Sequence, residues 1–214
     1  MGQESLLGWL ARSLGTPWVV IFLFLTVALV ALMAVNVLAI RRNSVAPPAL
    51  IQGMELRLGE DRFQEACDLV RADQSVLARV LAAGLPQLAA GDEEAAAAME
   101  EFGSLESIKM HARLGHVWLI AQLAPLFGLL GTVDGLIAAF ETIVRKGATP
   151  RPVDLAGGIG TALVATAVGL WIAIVAVAFH QIALGRLNRL LAETGILAER
   201  FAQRFAAARK AQRP

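Results

Sequence analysis

Residues 155–182 read LAGGIGTALVATAVGLWIAIVAVAFHQI, a stretch without Asp, Glu, Lys or Arg. An uncharged apolar run of this length is long enough to cross the hydrocarbon core of a bilayer as one helix. Its small residues recur at helical spacing, at Gly158, Ala162, Thr166, Gly169, Ala173 and Ala176. They form one stripe about 27 Å long, and small residues on a membrane helix allow a second helix to approach closely. The stretch therefore predicts a membrane helix with a neighbour along its whole length.

Two further stretches have the same apolar character. Residues 117–143 read VWLIAQLAPLFGLLGTVDGLIAAFETI, and residues 17–40 read PWVVIFLFLTVALVALMAVNVLAI. The latter would rise about 36 Å as a helix, and two arginines close it, so we expect a permanent span rather than a cleaved signal peptide. Residues 144–154 contain one glycine and two prolines, which predicts a tight hairpin between antiparallel second and third spans.

The overall composition excludes several classes of protein. The 214 residues are 57% hydrophobic, with a formal net charge of +1 and a mean hydropathy of +0.61. This is too apolar for a soluble domain, and the balanced charge gives no reason to expect a nucleic-acid partner. Cys67 is the only cysteine, and we expect it to be buried and structural. We expect no enzyme, metal site or cofactor, because no phosphate loop, paired catalytic carboxylates or metal-ligand spacing is found.

The distribution of basic residues predicts the orientation. Eight Lys and Arg residues flank the spans on one side, at Arg41, Arg42, Arg57, Lys109, Arg113, Arg186, Arg189 and Arg200. Four flank them on the other side, at Arg12, Arg145, Lys146 and Arg151. By the positive-inside rule the side with eight is cytoplasmic, so the N-terminus is outside and the C-terminus inside.

The fold prediction is an all-α integral membrane protein with three transmembrane helices and long cytoplasmic helical extensions. The predicted segments are a periplasmic N-terminus (1–16), a first span (17–40), a cytoplasmic helical segment (41–116), a second span (117–143), a periplasmic hairpin (144–154), a third span (155–182) and a cytoplasmic C-terminal helix (183–214).

The two cytoplasmic segments have helical patterns. Residues 41–116 predict short amphipathic helices followed by a longer helix, whose first turn contains Asp92, Glu93 and Glu94, where the helix dipole favours acids. Residues 183–214 continue the third helix with an apolar stripe among basic residues. A basic amphipathic helix can lie on anionic lipid, but we favour a bundle with the acidic helices of 41–116.

One face of the second span is built from small residues. Gly128, Thr132 and Gly135 stand at i, i+4 and i+7 and share a face, and Gly131 and Gly135 are also four residues apart. Pro125 removes one backbone hydrogen bond inside this span, which predicts a kink.

Thr132 and Thr166 are the candidate ion-pathway residues. A membrane threonine often bonds only its own i−4 carbonyl. Two of them on the small-residue faces of adjacent antiparallel helices favour a polar lining instead. Neither hydroxyl carries charge, so the pair could only hydrogen-bond or hydrate a titrating group that comes from elsewhere.

Asp134 is the second candidate, because a carboxylate inside a span is expensive and is a functional hypothesis by default. It lies about 200° around the helix from Thr132, so the two cannot share a face. The alternative is a structural role, at the outer boundary or paired with Arg145 or Lys146 of a neighbouring subunit. Both alternatives stay open. For His180, at the inner end of the third span, we favour interfacial anchoring over a proton relay.

The motifs APLFGLLGTVDGLIAAF (124–140) and ALVATAVGLWIAIVAVAFHQ (162–181) resemble the MotA/TolQ/ExbB proton-channel family. The short chain and three-span layout are most similar to the TolQ/ExbB branch. The resemblance implies a homo-oligomeric ring in the bacterial inner membrane, typically a pentamer. The ring surrounds a dimer of a single-span protein like ExbD, TolR or MotB. It also implies that the partner's membrane aspartate titrates and that the positions of Thr132 and Thr166 line its environment.

The chain departs from the family pattern at several positions. An acidic residue commonly stands at the position of Thr161, and a proline at that of Val175. An aromatic, apolar or small residue is usual at the position of Asp134, and an aromatic-Asn pair often replaces His180-Gln181. Thr161 is therefore a further candidate for the ion path or an interface. One hypothesis is that Asp134 takes over part of the role of the missing acid.

The sequence thus predicts the ring subunit of a proton-driven energy-transducing complex, in contact with membrane lipid and a single-span partner. The rival is a homo-oligomeric scaffold in which the small-residue stripes only pack helices.

Overall fold

The computed structural model describes residues 14–146 and 152–211. Most of the predicted N-terminal segment, and residues 147–151 of the predicted hairpin, lie outside this range. Every regular element of the described residues is helical, as predicted. The α-helices are α1 (Thr16–Ala39), α2 (Arg42–Val45), α3 (Pro48–Gly59), α4 (Phe63–Ala72), α5 (Val76–Gly84), α6 (Asp92–Lys146) and α7 (Pro152–Ala211), with a short 3₁₀ helix at Gln87–Ala89.

Among the described residues, three helices are long and apolar enough to cross a membrane: Thr16–Ala39, and parts of α6 and α7 within Asp92–Arg145 and Leu155–Ala207. They contain the second and third predicted spans in full and residues 17–39 of the first, because α1 ends at Ala39. The predicted limits of the second and third spans stay predictions, since α6 and α7 continue past them at both ends.

The two long helices α6 and α7 contain 55 and 60 residues. The first turn of α6 holds Asp92, Glu93 and Glu94, as predicted from the helix dipole. Pro125 lies inside α6 without ending it. By its contacts the chain divides into two units, one made of residues up to Ala34 with Gly115–Gln181 and the other of Val35–Leu114 with the residues from Ile182 onward.

The first unit contains the apolar parts of α1, α6 and α7. Its buried core joins Trp18, Phe22, Leu25 and Leu29 of α1, Val117, Ile120, Ala121 and Ala124 of α6, and Ala165, Ile172, Ala173 and Ala176 of α7. The bulky side of α7 is exposed, including Leu163, Trp171 and Ile174 at 66%, 69% and 58%. Exposed aliphatic and aromatic side chains are what a lipid-facing surface requires.

The second unit is a helical bundle that includes the C-terminal part of α7. Phe63 of α4 packs edge-on against Phe205 of α7, with ring centroids 5.6 Å apart. Arg200 of α7 lies 3.1 Å from Glu55 of α3, and His111 Nε2 lies 2.9 Å from Asn188 Oδ1. The predicted bundle between the C-terminal helix and the 41–116 segment is therefore confirmed.

Cys67 of α4 is buried in the second unit. Burial raises the pKa of its thiol, and Arg71 opposes that shift more weakly. A buried thiol with a raised pKa is a poor nucleophile, which fits the structural cysteine expected from the sequence.

A buried carboxylate joins α5 to α6 in this unit. Glu106 is only 4% exposed, and its two oxygens lie 2.7 Å from Arg79 and 2.9 Å from Lys109. A buried charge is tolerated when it is paired, and removing one partner leaves it partly uncompensated. The Arg79–Glu106 pair therefore fixes α5 against α6.

Arg79→Met is expected to destabilise the protein by about 1–3 kcal/mol, because Glu106 stays buried with only Lys109 as a partner. Arg71→Met is the matched control, since the side chains of Arg71 and its partner Asp68 are 67% and 72% exposed. Exposed pairs contribute about 0–1 kcal/mol. Thermal unfolding in detergent should show a clear loss for Arg79→Met and almost none for Arg71→Met. Equal shifts would contradict the assigned role of Glu106.

Candidate functional site

The small-residue faces of α6 and α7 meet directly. A Cβ atom added to Gly135 would lie 2.6 Å from the Gly158 carbonyl oxygen, and one added to Gly169 would lie 2.5 Å from that of Ala124. At Gly128 the added atom would lie 3.2 Å from the Thr166 Cα. There is no room for a side chain at Gly169, Gly128 or Gly135, so the backbones of α6 and α7 are in contact at three successive points along the helices. The small-residue faces of the two helices lie together in this way, and Ala162 lies against Gly135.

Thr132 and Thr166 lie at the middle contact, the one at Gly128. They are hydrogen-bonded to each other through their Oγ1 atoms. Thr132 Oγ1 also lies 3.2 Å from the carbonyl oxygens of both Gly128, on its own helix, and Ala162, on α7. Thr166 Oγ1 lies 3.3 Å from the Gly128 carbonyl oxygen. Thr132 therefore combines its local i−4 bond with a contact to α7, and these bonds of Thr166 all go to α6.

The cluster contains more hydrogen-bond acceptor oxygens than the two hydroxyl groups have protons to donate. Each hydroxyl donates one hydrogen bond and can accept others. Each hydroxyl proton can be donated to the other hydroxyl oxygen or to a carbonyl oxygen of Gly128 or Ala162. More than one arrangement of the two protons is therefore possible. The pair can therefore donate to an incoming carboxylate or accept from a carboxylic acid by rotating the hydroxyls.

The groups bonded to Thr132 and Thr166 in the described residues are hydroxyls and backbone carbonyls. These groups do not change charge near neutral pH. A site built from them can stabilise or hydrate a titrating group, but the proton must be carried by a group from outside this cluster.

Asp134 has a different partner from those considered in the sequence. The indole Nε1–H of Trp18, in the first turn of α1, donates a hydrogen bond to Asp134 Oδ2 at 2.8 Å. Arg145 pairs within the chain with Glu141 at 3.2 Å. This contact joins residues 116 positions apart on different helices, and the sequence did not predict it.

The structure does not bring Thr161 or His180 into the threonine cluster. Thr161 Oγ1 donates to its own i−4 carbonyl, Gly157, at 3.1 Å. The His180 ring lies 5.2 Å from that of Trp118, centroid to centroid, and its buried Nδ1 has no hydrogen-bond partner among the described residues. The aromatic contact agrees with anchoring, and the proton-relay alternative for His180 stays a hypothesis.

Comparison with known proteins gives a consistent set of relatives. Residues 72–195 match the sequence model of a family described as the MotA/TolQ/ExbB proton channel family. "Biopolymer transport protein exbB1" of Vibrio cholerae is 47% identical over 64 residues, 30% of this chain and 28% of that protein. A "Putative biopolymer transport protein ExbB homolog" of Methanothermobacter thermautotrophicus is 27% identical over 146 residues, 68% of this chain and 51% of that protein.

A third relative, "Putative biopolymer transport protein ExbB-like 1" of Synechocystis, is 39% identical over 87 residues, 40% of this chain and 34% of that protein. The chain thus spans about half or less of the length of the curated relatives it matches. All three names belong to the ExbB type, in agreement with the branch expected from the sequence.

Proposed function

Because this chain belongs to the MotA/TolQ/ExbB proton channel family, we propose that it is the ring subunit of an inner-membrane complex that uses the proton motive force to drive transport or mechanical work. The named ExbB relatives support energy transduction for biopolymer transport as the process.

The observation that carries this proposal is the threonine pair at the closest approach of α6 and α7. It supplies oxygen atoms inside an apolar unit but contains no titratable group. A proton path needs a group that gains and loses the proton, so the path requires a titratable group from outside this pair, and we assign that group to a second protein. A carboxylate on the membrane helix of an ExbD-, TolR- or MotB-like partner has the required chemistry.

A dimer of such a partner is enclosed by a ring of copies of this chain, typically five, in the proposed assembly. The resemblance of 124–140 and 162–181 to the family supports the ring. In each copy the α6–α7 face with Thr132 and Thr166 is part of the wall toward the partner. As the carboxylate passes between charged and neutral forms, the hydroxyls can match it by changing from donors to acceptors.

In this proposal the complex lies in the bacterial inner membrane. The N-terminus is in the periplasm, and the 41–116 segment and the C-terminus are in the cytoplasm. The excess of Lys and Arg around 41–116 and after 182 supports this orientation. The rival is a structural scaffold, in which the same small-residue faces pack helices and conduct nothing.

Isolation of the tagged chain from its native membranes tests the proposal. The expected result is co-purification of a small protein with one transmembrane segment and a membrane aspartate, in fewer copies than the chain itself. An unrelated tagged three-span protein from the same membranes serves as the control. Isolation of the chain in mild detergent, repeatedly free of any such partner, would favour the scaffold.

A further inference from the structure

Trp18 lies over the crossing of α6 and α7. It is 8% exposed, and a Cβ atom added to Gly131 would lie 3.6 Å from its ring and 2.5 Å from the Ala165 Cβ. Gly131 is thus enclosed between α7 and the indole of α1. All three spans meet at this residue, which directly precedes Thr132.

The buried indole N–H of Trp18 finds its acceptor in the carboxylate of Asp134, an exposed residue of α6. An indole N–H can only donate and needs an acceptor when it is buried. A carboxylate in a membrane span is expensive unless it is hydrogen-bonded. The 2.8 Å bond between Nε1 and Oδ2 gives the indole its acceptor and gives the carboxylate one hydrogen bond. Because Trp18 is in the first turn of α1, the bond also places Asp134 at the depth of one end of the first span rather than at its centre.

Asp134 and Thr132 belong to the same turn of α6 but to different faces, since two residues correspond to about 200° around a helix. Thr132 faces α7, whereas Asp134 is bonded to α1. The carboxylate can therefore act on the threonine pair by fixing the turn that carries Thr132, without contacting the pair itself.

We infer that Asp134 is a positioning residue whose carboxylate holds α1 against α6 through Trp18 and so keeps Thr132 in place against Thr166. It does not take over the role of the acid that the family resemblance implies at the position of Thr161, and it does not carry the transported proton. The effect on proton flow rests on the proposed function, whereas the α1–α6 contact does not.

Four variants distinguish a carboxylate that only positions Thr132 from one that gains and loses the transported proton. Asp134→Asn keeps an oxygen acceptor for the indole but cannot ionise, Asp134→Leu removes the acceptor, and Trp18→Phe keeps an aromatic ring but removes the donor. The fourth is the Trp18→Phe/Asp134→Leu double variant. Trp171→Phe is the control for loss of an indole, because Trp171 is 69% exposed.

The first measurement is thermal unfolding of the purified chain in detergent, which requires neither a partner nor conduction. Asp134→Leu and Trp18→Phe should each lower the unfolding midpoint, and the double variant should lower it little further, because both changes remove the same bond. Asp134→Asn and Trp171→Phe should stay near wild type. Additive losses in the double variant would overturn the inference.

The second measurement is proton flux and its pH profile in vesicles containing the chain with its co-purified partner. Asp134→Leu and Trp18→Phe should each reduce flux about tenfold through misplacement of the threonines. Asp134→Asn should conduct protons at the wild-type rate, with an unchanged pH profile. If Asp134→Asn conducts as poorly as Asp134→Leu while Trp18→Phe conducts normally, Asp134 is an ionising group and the inference is wrong. If wild type itself does not conduct, the proposed function fails, and the unfolding data still decide whether the contact exists.

Discussion

Replacement of Gly169 by alanine is expected to abolish stable folding of the membrane unit. The added Cβ would lie 2.5 Å from the Ala124 carbonyl oxygen and 3.1 Å from the Gly128 Cα. Both are backbone atoms, which cannot move aside by a side-chain rotation. Packing two helices in lipid depends on this close approach, because lipid supplies no hydrophobic drive for association. Overpacking typically costs about 1–3 kcal/mol, and this site is at the upper end or beyond because the two backbones must separate.

Gly160→Ala is the matched control on the same helix. Beyond its own helical turns, a Cβ at residue 160 meets no atom of the described residues within 4 Å, and alanine favours a helix over glycine by about 1 kcal/mol. The control should therefore be as stable as wild type or slightly more so. The measurement is the fraction of detergent-extracted protein that elutes as a single species, together with its unfolding midpoint. Equal behaviour of the two variants would show that α6 and α7 do not touch at Gly169.

Thr166→Val should reduce proton flux through the complex about a hundredfold while leaving the protein folded. Valine has nearly the shape of threonine but cannot donate or accept the bonds that Thr166 Oγ1 makes to Thr132 and to the Gly128 carbonyl. Loss of a preorganised hydrogen-bonding group at a reacting site costs about 10²–10³ in rate. Thr132→Val should have a similar effect, since the two hydroxyls form one network.

Serine distinguishes the hydroxyl from the shape of the side chain. Thr166→Ser keeps the Oγ1 atom and should conduct within a few-fold of wild type. Thr142→Val on α6 is the control for loss of a membrane threonine, because Thr142 Oγ1 bonds only its own i−4 carbonyl in the described residues, at 2.9 Å. Equal flux from Thr166→Val and wild type would remove the assigned role of Thr166.

Much of this fold follows from local sequence patterns. Hydropathy identifies the spans because each span crosses the bilayer as one apolar helix, within which the backbone polar groups are hydrogen-bonded to each other. The i, i+4, i+7 spacing of Gly128, Thr132 and Gly135 predicts their shared face, because helical geometry relates neighbouring positions directly. The contact between Thr132 and Thr166 follows once the short connection makes α6 and α7 antiparallel neighbours.

The contact between Trp18 and Asp134 could not be predicted in this way. Periodicity places residues around one helix but gives neither the rotation of α1 nor its position relative to α6. That choice is made by the packing of Phe22, Leu25 and Leu29 with the other two helices, to which the bond between Trp18 and Asp134 adds. The same limit applies to Arg79 and Glu106, whose pairing depends on how α5 and α6 are packed rather than on a motif.

Proton uptake by sealed vesicles under an imposed potential tests the central claim most directly. Three preparations are compared: vesicles with the chain and its co-purified single-span partner, vesicles with the chain alone, and empty vesicles. A ring that is completed by a partner's carboxylate predicts uptake with the complex, suppressed by Asp→Asn in the membrane helix of the partner, and no more than background with the chain alone. Background uptake by the intact complex would contradict the account and leave the chain as a structural scaffold.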